Sequence, residues 1–142
     1  MTCQKLDNIV KTGNLKAEPG SQTEFDGLLR SAKARLIDAQ NQTLSVESRF
    51  DLAYNASHAL ALAALRWHGY RSENRYMIFQ ALEHTLGIAP ELWRVLAACH
   101  QKRNLAEYEG HLDIDNQLLV DLIKSGVLLL ERVAALGAIN KG

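Results

Sequence analysis

The hydrophobic positions of this chain repeat at helical spacing over most of its length. Apolar residues recur every three or four positions in five stretches, as they do in amphipathic helices that turn one side toward a core. The predicted helices cover about residues 24–40, 46–68, 73–86, 90–108 and 113–136. No stretch shows sustained alternation of apolar and polar residues, so we expect no sheet. Five helices with short connections predict an all-α fold, an antiparallel up-and-down bundle.

Polar residues, glycines and prolines next to these stretches predict where the helices begin and end. Thr23, Ser45 and Ser72 are the expected N-caps, because a hydroxyl group can accept a hydrogen bond from a free N–H group of the first turn. Gly69 is expected to end the second helix. Pro90 fits the first turn of the fourth helix, where its missing N–H costs nothing.

The second predicted helix is apolar on most of its circumference and rich in alanine. Its small side chains let neighbouring backbones approach closely, so we expect it to be the central helix. Its polar members, Tyr54, His58 and His68, are interpreted mainly as hydrogen-bonded residues of the core, with a functional role as the alternative.

The length and charge of the chain fit one globular domain. A chain of 142 residues can bury a core without disulfides or metal ions. Residues 1–20 predict a short helix and a loop, and residues 21–142 predict a single helical domain. The 16 basic residues balance the 16 acidic ones, so any contact with nucleic acid needs a local patch.

The cysteines and the apolar runs bear on the compartment. Cys3 and Cys99 belong to no CxxC motif, which favours reduced thiols in a cytoplasmic protein. The longest uncharged apolar run, residues 59–65, is far shorter than the roughly 20 residues of a membrane span. No metal-binding or nucleotide-binding motif is present, so no metal or other cofactor is expected.

Arg103 carries the main functional prediction. On a helical wheel it falls near the middle of the apolar stripe of the fourth helix, which is formed by Leu92, Val95, Leu96, Cys99 and Ala106. An unpaired guanidinium that faces a core is costly, so this arginine needs a carboxylate, a partner chain or an anionic ligand.

A polar stripe runs beside the apolar one, at steps of three and four residues. Its members are His100, Arg103, Asn104, Glu107 and His111. Cationic, amide, carboxylate and imidazole groups on one strip can bind a phosphate and transfer protons. The alternative is structural: Glu107 pairs with Arg103 four residues earlier and closes the end of the bundle.

A second basic group surrounds the turn between the second and third predicted helices. It comprises Arg66, His68, Arg71 and Arg75. These residues are interpreted either as a solvated rim or as a local patch for an anion or RNA. In the second case Arg71 and Arg75, together with Glu107, are the candidates for substrate binding.

Three features between residues 21 and 136 resemble one known family. They are the order of the five helices, the run GYRSENRY with FQALEHTLG (residues 69–76 and 79–87), and the segment RNLAEY (residues 103–108). On these features the chain resembles the HEPN domain, the helical module of bacterial toxin–antitoxin pairs and related RNA-processing systems. Catalytic members resemble metal-independent endoribonucleases, which pair two motifs across a dimer and cleave RNA through attack by the ribose 2′-hydroxyl.

The catalytic motif of that family is an arginine, commonly followed by a polar residue, with a histidine after four to six further residues. Arg103 and Asn104 match the first half. Tyr108 stands where the first histidine position falls, and His111 comes one residue too late. A tyrosine with a pKa near 10 is a poor base, whereas a histidine titrates near neutral pH.

The resemblance therefore implies one of two functions. The first is a dimeric binding or regulatory partner in a toxin–antitoxin-type or RNA-related system, with an anion-binding site around Arg103. Its expected partners are a second copy of the chain, a nucleotidyltransferase-type protein and RNA, with no membrane contact. The second is a metal-independent endoribonuclease that uses Arg103 and Asn104 with His100, Tyr108 or His111.

Overall fold

The computed structural model describes residues 4–139. Within them the helices are α1 (Gln4–Lys11), α2 (Gln22–Ala39), α3 (Val46–Trp67), α4 (Arg75–Gln80), α5 (Leu82–Thr85), α6 (Pro90–Glu109) and α7 (Asn116–Ala134), and the strands are β1 (Lys16–Ala17) and β2 (Tyr70–Arg71). The all-α prediction is confirmed. None of these helices combines the length and the apolar character that crossing a membrane requires.

The helix boundaries follow the predicted ones except in three details. Ser45 caps α3 as predicted, and its hydroxyl accepts from the N–H of Ser48. The predictions of Thr23 and Ser72 as caps are wrong: Ser21 caps α2 and Asn74 caps α4. The predicted third helix is two helices, α4 and α5, because the N–H of His84 bonds to the carbonyl of Ala81, only three residues back, and tightens the chain there.

The prediction of no sheet is also wrong at one place. Strands β1 and β2 form one antiparallel pair, with Lys16 opposite Arg71 and Ala17 opposite Tyr70. Two residues are too few to show alternation in a sequence. Leu6 and Leu15 are buried, so the segment before residue 21 packs onto the bundle.

Helix α3 is the centre of the bundle, as its alanines predict, and it contacts α2, α7 and the helices α4 to α6. Gly126 of α7 lies against side chains of α2 and α3. A Cβ atom at Gly126 would lie 2.7 Å from Leu36 Cδ2 and 3.1 Å from Ser57 Oγ. A glycine is therefore required where α2, α3 and α7 meet.

Arg66 ties the end of α3 to the segment before α2. The side chain is 3% exposed, so its assignment to a basic rim is wrong. Its Nε donates to Glu24 Oε1 at 2.6 Å, and its Nη atoms donate to the carbonyls of Glu18, Pro19 and Tyr70 at 3.0, 2.9 and 3.3 Å. This arginine is a structural clamp.

Candidate anion-binding site

Tyr54 is the aromatic centre on which the candidate site is built. Its ring is fully buried on α3. The ring of His100, on α6, stacks nearly parallel to it with the centroids 6.2 Å apart. The Tyr54 hydroxyl oxygen lies 2.8 Å from His100 Nδ1. The buried phenol therefore fixes the position of an imidazole that is only half-buried.

His100 is held at both ring nitrogens. Its Nε2 lies 3.3 Å from Asn104 Nδ2, one helical turn further along α6. Burial, with the charges of Arg75 and Arg103 adding to it, lowers the pKa of His100 below its ordinary value. The imidazole is thus neutral near pH 7, with one nitrogen able to accept a proton.

Arg103 lies over the same tyrosine. Its guanidinium carbon is 5.2 Å from the Tyr54 ring centroid, within range of a cation–π contact. The side chain is 32% exposed, so it lies at the edge of the apolar stripe rather than in its middle. Its one ion pair within residues 4–139 is a 3.6 Å contact from Nε to Asp51 Oδ1. The alternative pair with Glu107 is not formed.

Arg75 brings a second guanidinium to this ring. It is the first residue of α4, directly after the Asn74 cap, and its guanidinium carbon is 5.6 Å from the Tyr54 centroid. Among the described residues it makes no hydrogen bond or ion pair, and its buried Nη1 has no partner. A buried N–H donor without an acceptor costs free energy, so this guanidinium has a donor available for a ligand.

His58 lies one helical turn after Tyr54 on α3. Its ring meets Phe79 edge-on at a centroid distance of 6.1 Å, and it forms no hydrogen bond with the part of the chain that the structure describes. Burial lowers the pKa of His58 to about 4, and the charges of Arg75, His100 and Arg103 add to that effect. A second neutral imidazole therefore faces the two arginines.

The remaining candidates lie apart from this cluster. Tyr108 is 94% exposed, and Glu107 is also exposed. His111 follows the left-handed Gly110 that ends α6, and its polar contacts are with Glu109. Arg71 is paired with Glu18 at 2.5 Å and Glu24 at 2.7 Å. The structure thus brings together His100, Arg103, Asn104 and Arg75 from the predicted residues.

The charge differs on the two sides of Arg103. Glu47, Asp51 and Glu107 line a surface groove of about 330 Å³ beside it, together with Ala106, Gly110, His111 and Leu112. These carboxylates repel an anion. On the other side Arg75, His58 and His100 bring no negative charge, so an anion is expected to approach from there.

From the sequence, Tyr54 and His58 were interpreted mainly as core residues, with a functional role only as the alternative. Tyr54 is indeed a core residue, but one edge of it supports the site. The available signal was their spacing of four, which places both on one side of a helix. That spacing is common among core positions, and the partners on α4 and α6 are distant in sequence.

Within residues 4–139 no three His, Cys, Asp or Glu side chains are grouped so that they could hold a metal ion. No protein-family model, no curated protein and no solved structure matches the chain. The HEPN resemblance therefore rests on its own residues, and the functional argument rests on the geometry around Tyr54.

Proposed function

We propose that this chain is a HEPN-like, dimeric binding partner in a toxin–antitoxin-type or RNA-related system, and that it binds a phosphate of RNA at Arg103. The observation that carries the proposal is the state of this guanidinium. It is two-thirds buried against Tyr54, yet within residues 4–139 its only carboxylate contact is 3.6 Å long and goes to the exposed Asp51. An arginine held in this way keeps donors available for a phosphate oxygen.

The neighbours of Arg103 support an anionic ligand. Asn104 and His100 follow the same strip of α6 and supply an amide and a neutral imidazole, both of which can donate to phosphate oxygens. Arginine is the side chain best suited to a phosphate because its planar fork makes two parallel hydrogen bonds. The chain as a whole is uncharged, so binding depends on this local site.

The test is binding of a fluorescent single-stranded RNA, followed by anisotropy at about 50 mM salt. Arg103→Met should weaken binding about 10- to 100-fold, because charge-assisted hydrogen bonds contribute roughly 1.5–3 kcal/mol. Arg94→Met is the matched control: this exposed arginine also lies over an aromatic ring, that of Trp93, at 5.8 Å. Equal losses in both variants, or no binding by the wild type, would contradict the proposal.

The proposed dimer and protein partner need a separate measurement. Light scattering should give twice the monomer mass, and purification from the native source should retain a second protein of nucleotidyltransferase type. A solitary monomer that retains nothing would remove the regulatory part of the proposal. The RNA measurement would be unaffected by that result.

His100 favours one second candidate, a metal-independent endoribonuclease. Neutral His100 would accept the proton of a ribose 2′-hydroxyl at Nε2, displacing the long contact to Asn104. The 2′-oxygen would bond to phosphorus, the bond to the 5′-oxygen would break, and that oxygen would take a proton from solvent. Arg103 would stabilise the charge that develops on the phosphate.

This candidate predicts cleavage in the presence of EDTA, with 2′,3′-cyclic phosphate ends. His100→Gln should abolish those ends, whereas His111→Gln should not, because His111 lines the acidic groove and its polar contacts are with Glu109. If the wild type binds RNA but does not cleave it, the endoribonuclease candidate fails and only the binding function remains.

A further inference from the structure

Helices α3 and α4 add to the site two groups that the α6 motif does not contain. Both guanidinium carbons lie within 6 Å of one tyrosine ring, Arg75 at 5.6 Å and Arg103 at 5.2 Å from its centroid. They are therefore no farther apart than the sum of these two distances. His58, on the same face of α3 as Tyr54, has both of its ring nitrogens free of protein hydrogen bonds in the described part of the chain.

Two cations held at one buried ring carry an electrostatic cost. Each guanidinium repels the other, and the one ion pair that either forms in the described part of the chain is that of Arg103 with Asp51. Within residues 4–139 no acceptor bonds to the N–H groups of the Arg75 side chain, and one of its nitrogens is fully buried. The cluster is stable as a whole only because the rest of the bundle holds it, as is typical of a site that a ligand completes.

We infer that Arg75 and His58 are ligand-binding residues, and that together with Arg103 they hold one phosphate group between α3, α4 and α6. This inference rests on the proposed function and identifies further residues of the same phosphate-binding site. Arg75 and Arg103 would donate to different phosphate oxygens, and His58 would donate its ring N–H to the same group.

The number of donors favours a phosphate over a carboxylate. Arg75, Arg103 and His58 lie on three different helices, so their N–H groups would reach one ligand from separate directions. A carboxylate offers two oxygens in one plane and suits a single guanidinium fork. A phosphate offers its oxygens in a tetrahedral arrangement, which allows two arginines and an imidazole to bind at once. The neutral state of His58 fits a donor that adds no third charge to the unliganded site.

The experiment follows the histidine ring signals by NMR while inorganic phosphate is added at constant ionic strength. The signals of His58 and His100 should shift saturably, and those of His68 and His84, on other parts of the bundle, should not. Arg75→Met should weaken phosphate binding at least about tenfold. Arg94→Met should leave it within about twofold, and Arg75→Lys, which keeps the charge but loses the fork, should lie between them.

Several results would overturn the inference. They are the absence of shifts at His58 in the wild type, equal phosphate affinity of the Arg75→Met and Arg94→Met variants, and shifts with acetate as large as those with phosphate, which would indicate a carboxylate ligand. If Arg75→Met has lost its fold by circular dichroism, Arg75→Lys and His58→Asn decide instead, and each must weaken binding.

Two RNA arms identify the source of the phosphate. A pentanucleotide without terminal phosphates tests a phosphodiester, and the same chain with a 5′-phosphate tests a monoester. Tighter binding of the second supports a terminal phosphate as the ligand. RNA binding that depends on Arg103 but not on Arg75 or His58 would leave the proposed function standing and defeat this inference alone.

Discussion

Replacement of Arg66 by methionine should destabilise the fold strongly, although the side chain lies in no candidate site. The guanidinium is 3% exposed and donates to Glu24 and to three backbone carbonyls. Breaking a buried ion pair typically costs about 3–5 kcal/mol. Glu18 and Glu24 are 48% and 33% exposed and keep Arg71 as a partner, so we expect about 3 kcal/mol, the lower end. That is a large part of the roughly 5–15 kcal/mol that stabilises a domain.

The measurement is urea unfolding followed by circular dichroism, with the midpoint and slope compared between variants. Arg35→Met is the control, because Arg35 is exposed on α2 and should change the free energy of unfolding by less than about 0.5 kcal/mol. Arg66→Lys keeps the charge but loses the planar guanidinium fork, so its free energy of unfolding should lie between those of Arg66→Met and Arg35→Met. If Arg66→Met costs less than about 1 kcal/mol, the clamp argument is wrong.

Three further predictions follow from packing and burial. Gly126→Ala should lower the free energy of unfolding in urea by about 1–2 kcal/mol, because crowding against Leu36 exceeds the gain in helix propensity. Gly27→Ala should raise it by about 0.5–1 kcal/mol, because a Cβ atom there would meet nothing closer than 3.9 Å. Burial lowers the pKa of His58 to about 4, so between about pH 6.5 and pH 4 this histidine is protonated in the unfolded chain but not in the folded one. As the pH falls through this range, the free energy of unfolding of the wild type should therefore decrease by up to about 3 kcal/mol more than that of His58→Gln. Parallel curves of unfolding free energy against pH for the two proteins would contradict this. Burial raises the pKa of Cys99 to about 12. Mass spectrometry should therefore find Cys99 unmodified by iodoacetamide at neutral pH in the native protein and modified in urea. Rapid labelling of Cys99 in the native protein would refute the burial.

The helices were predictable because packing one side of a helix on the core requires apolar residues that repeat at helical spacing in the sequence. The central place of α3 followed from its alanines. The strand pair was not predictable, since Lys16 and Arg71 lie in short polar segments that pair only when distant parts of the chain meet. The burial of Arg66 was hidden for the same reason: Glu18, Pro19 and Glu24, which supply most of its acceptors, lie more than 40 residues earlier.

The site was predictable only where it lies on one helix. His100, Arg103 and Asn104 share a face of α6, and their spacing of three and four placed them together correctly. Arg75 was grouped with Arg71 at the turn between two helices, but its guanidinium lies over the Tyr54 ring instead. A sequence contains no direct measure of such contacts between helices, and a single chain offers no other signal for them.

The placement of Tyr108 gives the motif argument a test of its own. Position 108 is five residues beyond Arg103, about 140° around the helix, and its side chain is 94% exposed. Within one protomer, Tyr108→His would therefore set an imidazole in water, away from the phosphate that we propose Arg103 binds, while His100 already occupies the face of the arginine. We expect this variant to leave RNA binding and any RNA cleavage unchanged, measured beside Tyr108→Phe. A gain of cleavage in Tyr108→His alone would mean that position 108 reaches a site on a second protomer, because no rotation of one side chain brings it to its own Arg103 face.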